Sequence, residues 1–234
     1  MVSKMNYGSL ISGSAGYMKD ALLGKWGRWL LLALLSLIQT FTLYLVPLFS
    51  GYTVRVLAGE RPAPDVEGWG RLFIDGWKRN IIALIYLIPV ILVLAIFGGI
   101  AFASTIAAQG VDNLNVWASA VAAAMTGLLA AGVVWVIISI ISMFAIVRFA
   151  HTGSFLQVFS FGAIFRHIGR IGWGSWIVAV IILALIGLAY AVVTGLITTI
   201  PVVGWIVNLF VGVVYGIFHA RYLAAAYESV PAPG

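Results

Sequence analysis

Charge is missing from this chain over distances that no soluble fold could hide. No Asp, Glu, Lys or Arg occurs from Trp29 to Val54, Asp112 alone interrupts the run from Asn80 to Val147, and Ile171 to Ala220 carries none. A helical crossing of a bilayer core needs roughly 20 apolar residues, so these windows hold several crossings. Only 9% of the 234 residues are charged, against about 25% in soluble domains, too few to cover a soluble surface.

The cations cluster at the ends of the apolar runs. Net charge +6 therefore reads as retention of cations on the cytoplasmic side rather than as a nucleic-acid surface, and nucleic acid is not an expected partner. Zero cysteines exclude disulfides, thiolate metal sites and cysteine nucleophiles. The apolar run after Arg28 is too long for a signal peptide and lacks a small-x-small exit.

Residues 6–27 place Tyr7, Leu10, Ile11, Met18 and Leu22 on one helical face, with Ser12, Lys19 and Asp20 off it, the pattern of an interfacial helix. Residues 29–54 form the first membrane segment, with Gln39, Thr40 and Thr42 in its middle and Pro47 late. Two prolines make residues 58–65 an ordered, non-helical linker. Residues 66–79 are the clearest amphipathic segment. Trp69, Leu72, Phe73 and Trp77 share one face, and Arg71, Asp75 and Lys78 another, as in a helix lying in the headgroup plane with its tryptophans in the aromatic belt. Asp75 is spaced to pair with Arg71 or Arg79.

Residues 80–108 and 116–147 are long spans joined by a short turn that carries Asp112, and Pro89 is expected to kink the first of them. Residues 153–170 make a third interfacial segment with a thin polar stripe of Gln157, Ser160, His167 and Arg170. Residues 172–198 and 202–224 form the last pair of spans, turning near Pro201. The tail from Glu228 reads as disordered.

Within one transmembrane domain, 1–234, three units follow one plan: 6–60, 66–152 and 153–226. Each has an amphipathic segment with trailing cations, an apolar hairpin and a closing arginine (Arg55, Arg148, Arg221). Lys78, Arg79 and Arg148 bracket the second unit, and Arg166, Arg170 and Arg221 the third, so both are hairpins with ends inside and turns outside. Lys19, Lys25 and Arg28 against Arg55 and Arg61 bracket the first unit the same way, yet residues 29–54 suit one crossing in length. Two arrangements fit. One is a short or re-entrant hairpin broken near Gln39-Thr40 and shielded by the other spans. The other is a single crossing with the N-terminus outside. The architecture is all-α with five spans, or with four full spans plus a short first hairpin.

Gly51-Tyr-x-x-Arg55, the proline-containing linker, Gly68-Trp-Gly-Arg-Leu-Phe-Ile-Asp-Gly-Trp-Lys78 and Leu84-Ile-Tyr-Leu-Ile-Pro89 resemble a family of uncharacterised prokaryotic, largely archaeal, polytopic integral membrane proteins, a domain of unknown function. The resemblance covers most of the chain and implies a helical inner-membrane protein. It implies no activity, ligand or catalytic residue. A break resembling Ile200-Pro201 is common in the family's first hairpin; Gln39-Thr40 stands there instead, which counts against the re-entrant form.

Small residues recur at four-residue spacing: Ala95, Gly99, Ala103 and Ala107; Ala123, Gly127 and Ala131; Gly187, Ala191 and Gly195; Gly204, Gly212, Gly216 and Ala220. Such ridges let helices approach closely, within one chain or between copies, so a homo-oligomer is compatible with them. Gln39 and Asn208 are amides in apolar surroundings, where an unpaired amide is costly. They read as interhelical hydrogen bonds, or else as an intramembrane polar site. Arg55, Arg148 and Arg221, with Trp69 and Trp77, read as anchoring or lipid-headgroup residues. The three arginines are also candidates to converge on a headgroup or on Asp20, Asp75 or Glu228.

His151, His167 and His219 match no metal spacing, and no metal or cofactor is expected. No nucleophile elbow, phosphate loop, paired catalytic carboxylates or zinc signature occurs. The span centres lack the ionisable residues that drive proton-coupled transport. The chain reads as a non-enzymatic, multi-pass plasma-membrane protein that organises or interacts with membrane lipids, with its interfacial helices and most cations on the cytoplasmic side. The alternative is a channel or transporter for a small or apolar solute, lined by Gln39, Asn208 and the threonines.

Overall fold

In hydrocarbon no water competes for backbone N–H and C=O groups, so an apolar run closes its hydrogen bonds locally and becomes helix. The computed structural model describes residues 5–107 and 114–231. Its elements are α1 (Tyr7–Leu22), α2 (Trp26–Phe41), α3 (Leu48–Leu57), α4 (Trp69–Ala107), α5 (Leu114–Thr152), a 3-10 turn (Phe155–Phe159), α6 (Phe161–Ile171), α7 (Trp173–Thr198) and α8 (Val203–Tyr227). No strand occurs among the described residues. Asp112, nearly all of the turn around it and the last three residues of the tail lie outside them.

Four of these helices, α4, α5, α7 and α8, are long and apolar enough to cross a membrane. A fifth crossing arises only if α1 and α2, bent by 101° at their junction, count as one span. The chain is thus a polytopic helical membrane protein. The expected spans at 172–198 and 202–224 appear as α7 and α8 within a few residues.

The described residues fall into two compact units, one running to Ile82 and resuming at Met143, the other Ala83–Ser142. In the second unit the expected ridge on α5 seats an aromatic: a Cβ on Gly127 would come within 2.4 Å of Phe97 Cβ, and Ala131 is buried. Pro89 lies inside α4, whose helix continues past it.

In the first unit α8 is the hub. Its C-terminal half is buried from Ile217 to Ala224 save for a partly open His219, and α1, α2, α3 and α7 all pack on it. α1 turns Leu10, Ser14, Ala21 and Leu22 inward, while Ile11 stays 37% exposed. The apolar face expected from residues 6–27 is therefore rotated: the small side chain of Ser14, and not Ile11, lets α1 close on α8.

The first membrane segment is a short hairpin. α2 stops at Phe41 and α3 starts at Leu48. Between them Leu43 and Tyr44 take positive φ of 50° and 64°, a left-handed conformation that costs non-glycine residues energy and persists only when neighbours enforce it. Gln39 supplies that enforcement. Its carbonyl accepts from Tyr44 N (2.8 Å), and its side-chain Oε1 accepts from Ser50 N across the turn (2.8 Å). Thr42 Oγ1 accepts from Val46 N at 3.1 Å. At the base, Arg28 ahead of the hairpin reaches the Ala63 carbonyl (3.4 Å) and the Asp65 carboxylate beyond it. The two ends of the unit therefore meet, and a single crossing is set aside. The break also falls at 42–47, not at Gln39-Thr40: Gln39 ties the turn and does not interrupt the helix.

Two further expectations change. Residues 66–79 and 80–108 are not a surface helix followed by a span but one continuous helix, α4, of 39 residues. Neither Gly nor Pro stands between Lys78 and Pro89 to stop propagation, and at 1.5 Å per residue the helix is about 58 Å long, far beyond the ~30 Å core. Nor is the whole tail detached, since Glu228 and Val230 both make contacts described below.

Candidate functional site

The close approach of α3 to the start of α4 creates the site. Gly51 lies on the α4 backbone, where a Cβ would come within 1.8 Å of the Leu72 carbonyl oxygen, and Gly76 answers it, where a Cβ would sit 2.0 Å from the Pro47 carbonyl oxygen. This contact turns a third face of α4 inward, Leu72, Gly76, Arg79 and Ile82, at i, i+4, i+7 and i+10. Leu72 and Ile82 are fully buried. The face takes Leu72 from the edge of the tryptophan stripe and runs through Arg79 toward the charged stripe, which is why it was hidden in the sequence.

Beside that contact a cavity of ≈ 490 Å³ opens among α2, α3, α8, the start of α4, the C-terminal end of α5 and Tyr190 of α7. Its polar lining includes Gln39, Thr53, Arg79, Tyr190, Tyr215 and His219. Much of the rest is apolar or backbone-thin: Phe49, Met143, Ile146 and the Gly212–Gly216–Ala220 ridge. Arg79 donates from Nη1 to Thr53 Oγ1 at 3.2 Å. Tyr190 and Tyr215 stack across α7 and α8 with ring centroids 4.2 Å apart, and His219 follows one turn along α8, 5.7 Å from the Tyr215 ring. Glycines allow the stack: a Cβ on Gly187 would come within 2.7 Å of the Tyr215 hydroxyl oxygen.

The other candidates divide. Gln39 lines the cavity, but Asn208 does not; its amide donates to the Thr194 carbonyl (3.0 Å) and Thr198 Oγ1 (2.7 Å) inside the α7–α8 hairpin. The two amides do not form one site. Arg55, Arg148 and Arg221 do not converge either. Arg55 donates to the Asp65 carbonyl at 3.3 Å and lines a ≈ 360 Å³ surface pocket with Arg71, Asp75 and Lys78. Arg148, 7% exposed, is held by Gln157 Oε1 through Nε (3.1 Å) and Nη2 (2.8 Å). Arg221, 1% exposed, pairs with Glu228 at 2.8 Å and lies 5.5 Å over the Tyr17 ring. Trp69 is exposed, and Trp77 meets Phe73 edge to face at 6.4 Å.

Of the expected pairings of Asp75, Arg71 (3.5 Å) is present and Lys78 (3.6 Å) takes the second place, while Arg79 faces the cavity. His167 leaves the expected polar stripe for the buried face of α6. It packs on Tyr227 and Phe144 at 4.3 and 5.1 Å and meets the Val230 carbonyl at 3.3 Å.

Sequence reasoning missed Arg79, Tyr190, Tyr215 and His219 as a group. A signal was present: Tyr190 and Tyr215 lie at matching distances on either side of the turn at 201–203, and His219 follows at i+4.

The family model described as a protein of unknown function (DUF4013) matches residues 34–202. That range includes Gln39, Thr53, Arg79 and Tyr190 and ends before the α8 wall of the cavity. No curated protein and no solved structure matches the chain.

Proposed function

We propose a function from the cavity itself, because the chain belongs to the DUF4013 family, whose description assigns none. The protein is a non-enzymatic, lipid-interacting membrane protein that seats an amphiphilic molecule in the cavity between its first hairpin and α8. The observation that carries this reading is a ≈ 490 Å³ cavity of mixed lining within a bundle of membrane helices. Small-molecule sites span about 300–1,000 Å³ and pair a mostly apolar wall with a few placed polar groups.

Gly212→Leu tests it. A Cβ at Gly212 meets only the Tyr190 hydroxyl, at an ordinary 3.5 Å, so the added side chain fills cavity without displacing backbone. The expected result, by native mass spectrometry of protein extracted from membranes, is loss of co-purifying lipid from the variant. An unchanged lipid complement rules the reading out. The solute-channel reading is weaker, because Asn208 lies off the cavity and its amide nitrogen is spent on Thr194 and Thr198.

The base of the bundle, with Arg28, Arg55, Arg61 and Lys78, faces the cytoplasm of the plasma membrane in this proposal, as retention of cations on that side favours. The chain has no cysteine, so Ser154→Cys and Thr199→Cys each carry a single thiol, at exposed positions. In intact cells an impermeant maleimide is expected to label Thr199→Cys and spare Ser154→Cys; the reverse pattern inverts the orientation.

A further inference from the structure

The cavity holds a cation, Arg79, that has no ion-pair partner among the described residues. Five other cations have carboxylate partners: Arg28 with Asp65, Arg61 and Arg221 with Glu228, and Arg71 and Lys78 with Asp75. No carboxylate among the described residues forms an ion pair with Arg79. Its partner is a neutral hydroxyl, Thr53 Oγ1 at 3.2 Å, which uses one of five guanidinium N–H groups.

Its setting makes this absence informative. Arg79 does not extend to open surface like Arg61 or Arg71, whose side chains are 66% and 75% exposed. It is half-buried, held against Thr53 and built into the cavity wall. A guanidinium taken from water into a membrane protein interior is costly unless paired, and such residues mark ligand or ion sites by default. Its planar fork matches phosphate and carboxylate oxygens, two N–H groups to two oxygens.

The neighbours fit the same ligand. His219 and the hydroxyls of Tyr190 and Tyr215 line the cavity and have no hydrogen-bond partner among the described residues, so they add uncharged donors without competing charge. The rest of the wall, Phe49, Met143, Ile146 and the glycine ridge, suits an aliphatic chain.

We propose that Arg79 is the recognition residue of an oxyanion site in this cavity, taking the phosphate or carboxylate group of an amphiphile. This rests on the lipid-binding reading above and names the headgroup class that reading leaves open. The site differs from the expected cluster of Arg55, Arg148 and Arg221, which bond to the Asp65 carbonyl, to Gln157 and to Glu228 and do not line this cavity.

The test uses the full chain in detergent and three probes at equal concentration: phosphatidic acid, diacylglycerol with the same acyl chains, and inorganic phosphate. Readouts are thermal stabilisation and bound mass. Phosphatidic acid is expected to stabilise the wild type more than diacylglycerol does. Arg79→Gln weakens that preference by about tenfold or more, the worth of one charge-assisted pair, Arg79→Lys restores part of it, and Lys78→Gln leaves it unchanged. An Arg79-dependent response to inorganic phosphate supports the oxyanion site and identifies a free anion as able to fill it.

Equal response of the wild type to phosphatidic acid and diacylglycerol overturns the proposal without any variant being needed, should Arg79→Gln fail to fold. So does a preference that survives in Arg79→Gln. If the preference is absent while Gly212→Leu still loses lipid, the oxyanion site is wrong and the lipid cavity stands. If Gly212→Leu loses nothing, both are wrong.

Discussion

Gly51→Val and Gly76→Val each prevent recovery of folded, monodisperse protein, whereas Gly70→Ala, on the same helix, unfolds at or above the wild-type temperature. The first two substitutions put atoms where backbone already stands. A Cβ at residue 51 would lie 1.8 Å from the Leu72 carbonyl oxygen and 2.6 Å from its carbon; one at residue 76 would lie 2.0 Å from the Pro47 carbonyl oxygen. A flexible side chain could swing away, but these atoms belong to α4 and to the entry of α3, and the two contacts face each other across one crossing. Overpacking costs roughly 1–3 kcal/mol where side chains can adjust, and more where they cannot. Gly70 has nothing within 4 Å of its would-be Cβ, and alanine is favoured over glycine in a helix by about 1 kcal/mol. Fluorescence-detected size exclusion with a thermal ramp measures all three. A Gly51→Val protein that elutes and melts like wild type would mean that α3 does not rest on α4 this closely, and Thr53 would lose its place beside Arg79.

That crossing also marks where the sequence stops being legible. Hydropathy is a local property, so the charge-free windows announce α4, α5, α7 and α8 and the membrane class without further help. The first segment is different. Residues 29–54 match one crossing in length, and what ties them back is one residue, Gln39, whose main-chain carbonyl accepts from Tyr44 N and whose side-chain Oε1 accepts from Ser50 N. No periodicity encodes such a tie, and Gln39 in an apolar run reads equally well as a site or as a break. Arg79 was misread for a related reason. A cation at the end of an apolar run is usually a solvated anchor, and only the glycine-mediated contact of α3 with α4 makes its face an inner one. Trp69, Leu72, Phe73 and Trp77 at i, i+3, i+4 and i+8 drew attention to a real apolar stripe, but a 39-residue helix has room for a further inward face. The family description adds no activity from which to infer either.

The second large effect comes from the tail from Glu228, which reads as disordered in the sequence. Glu228→Ala is expected to lower stability by roughly 3–5 kcal/mol, because it strands a buried cation. Arg221 is 1% exposed, and its carboxylate partner at 2.8 Å is Glu228. Arg221→Met should cost less, since it removes the buried charge along with the pair and leaves Glu228 to His151 at 3.3 Å and Arg61 at 3.8 Å. Adding it to Glu228→Ala should recover part of the loss. Additive losses in that double variant, measured by thermal unfolding in detergent, would mean the pair contributes nothing.

The same latch gives a pH dependence in two stages. Burial opposes ionisation of Glu228, but hydrogen bonds from His151 and Arg221, and their charges, outweigh it and hold the carboxyl below its ordinary 4.5. A depressed carboxylate stabilises the fold above about pH 4.5, and that contribution is lost as pH falls through the lowered value. Burial also lowers His167 from its ordinary 6.5, with the charge of Arg148 acting in the same direction against the hydrogen bond to the Val230 carbonyl. Below pH 6.5 the unfolded chain therefore takes up a proton that the folded chain refuses, and stability begins to fall there. Glu228→Gln should abolish the stage below pH 4.5 and keep the one that begins near 6.5, while His167→Phe should do the opposite. A wild-type unfolding temperature that stays flat from pH 7 to pH 3 would show that neither group is linked to folding and that Glu228 to Val230 do not hold the bundle's base.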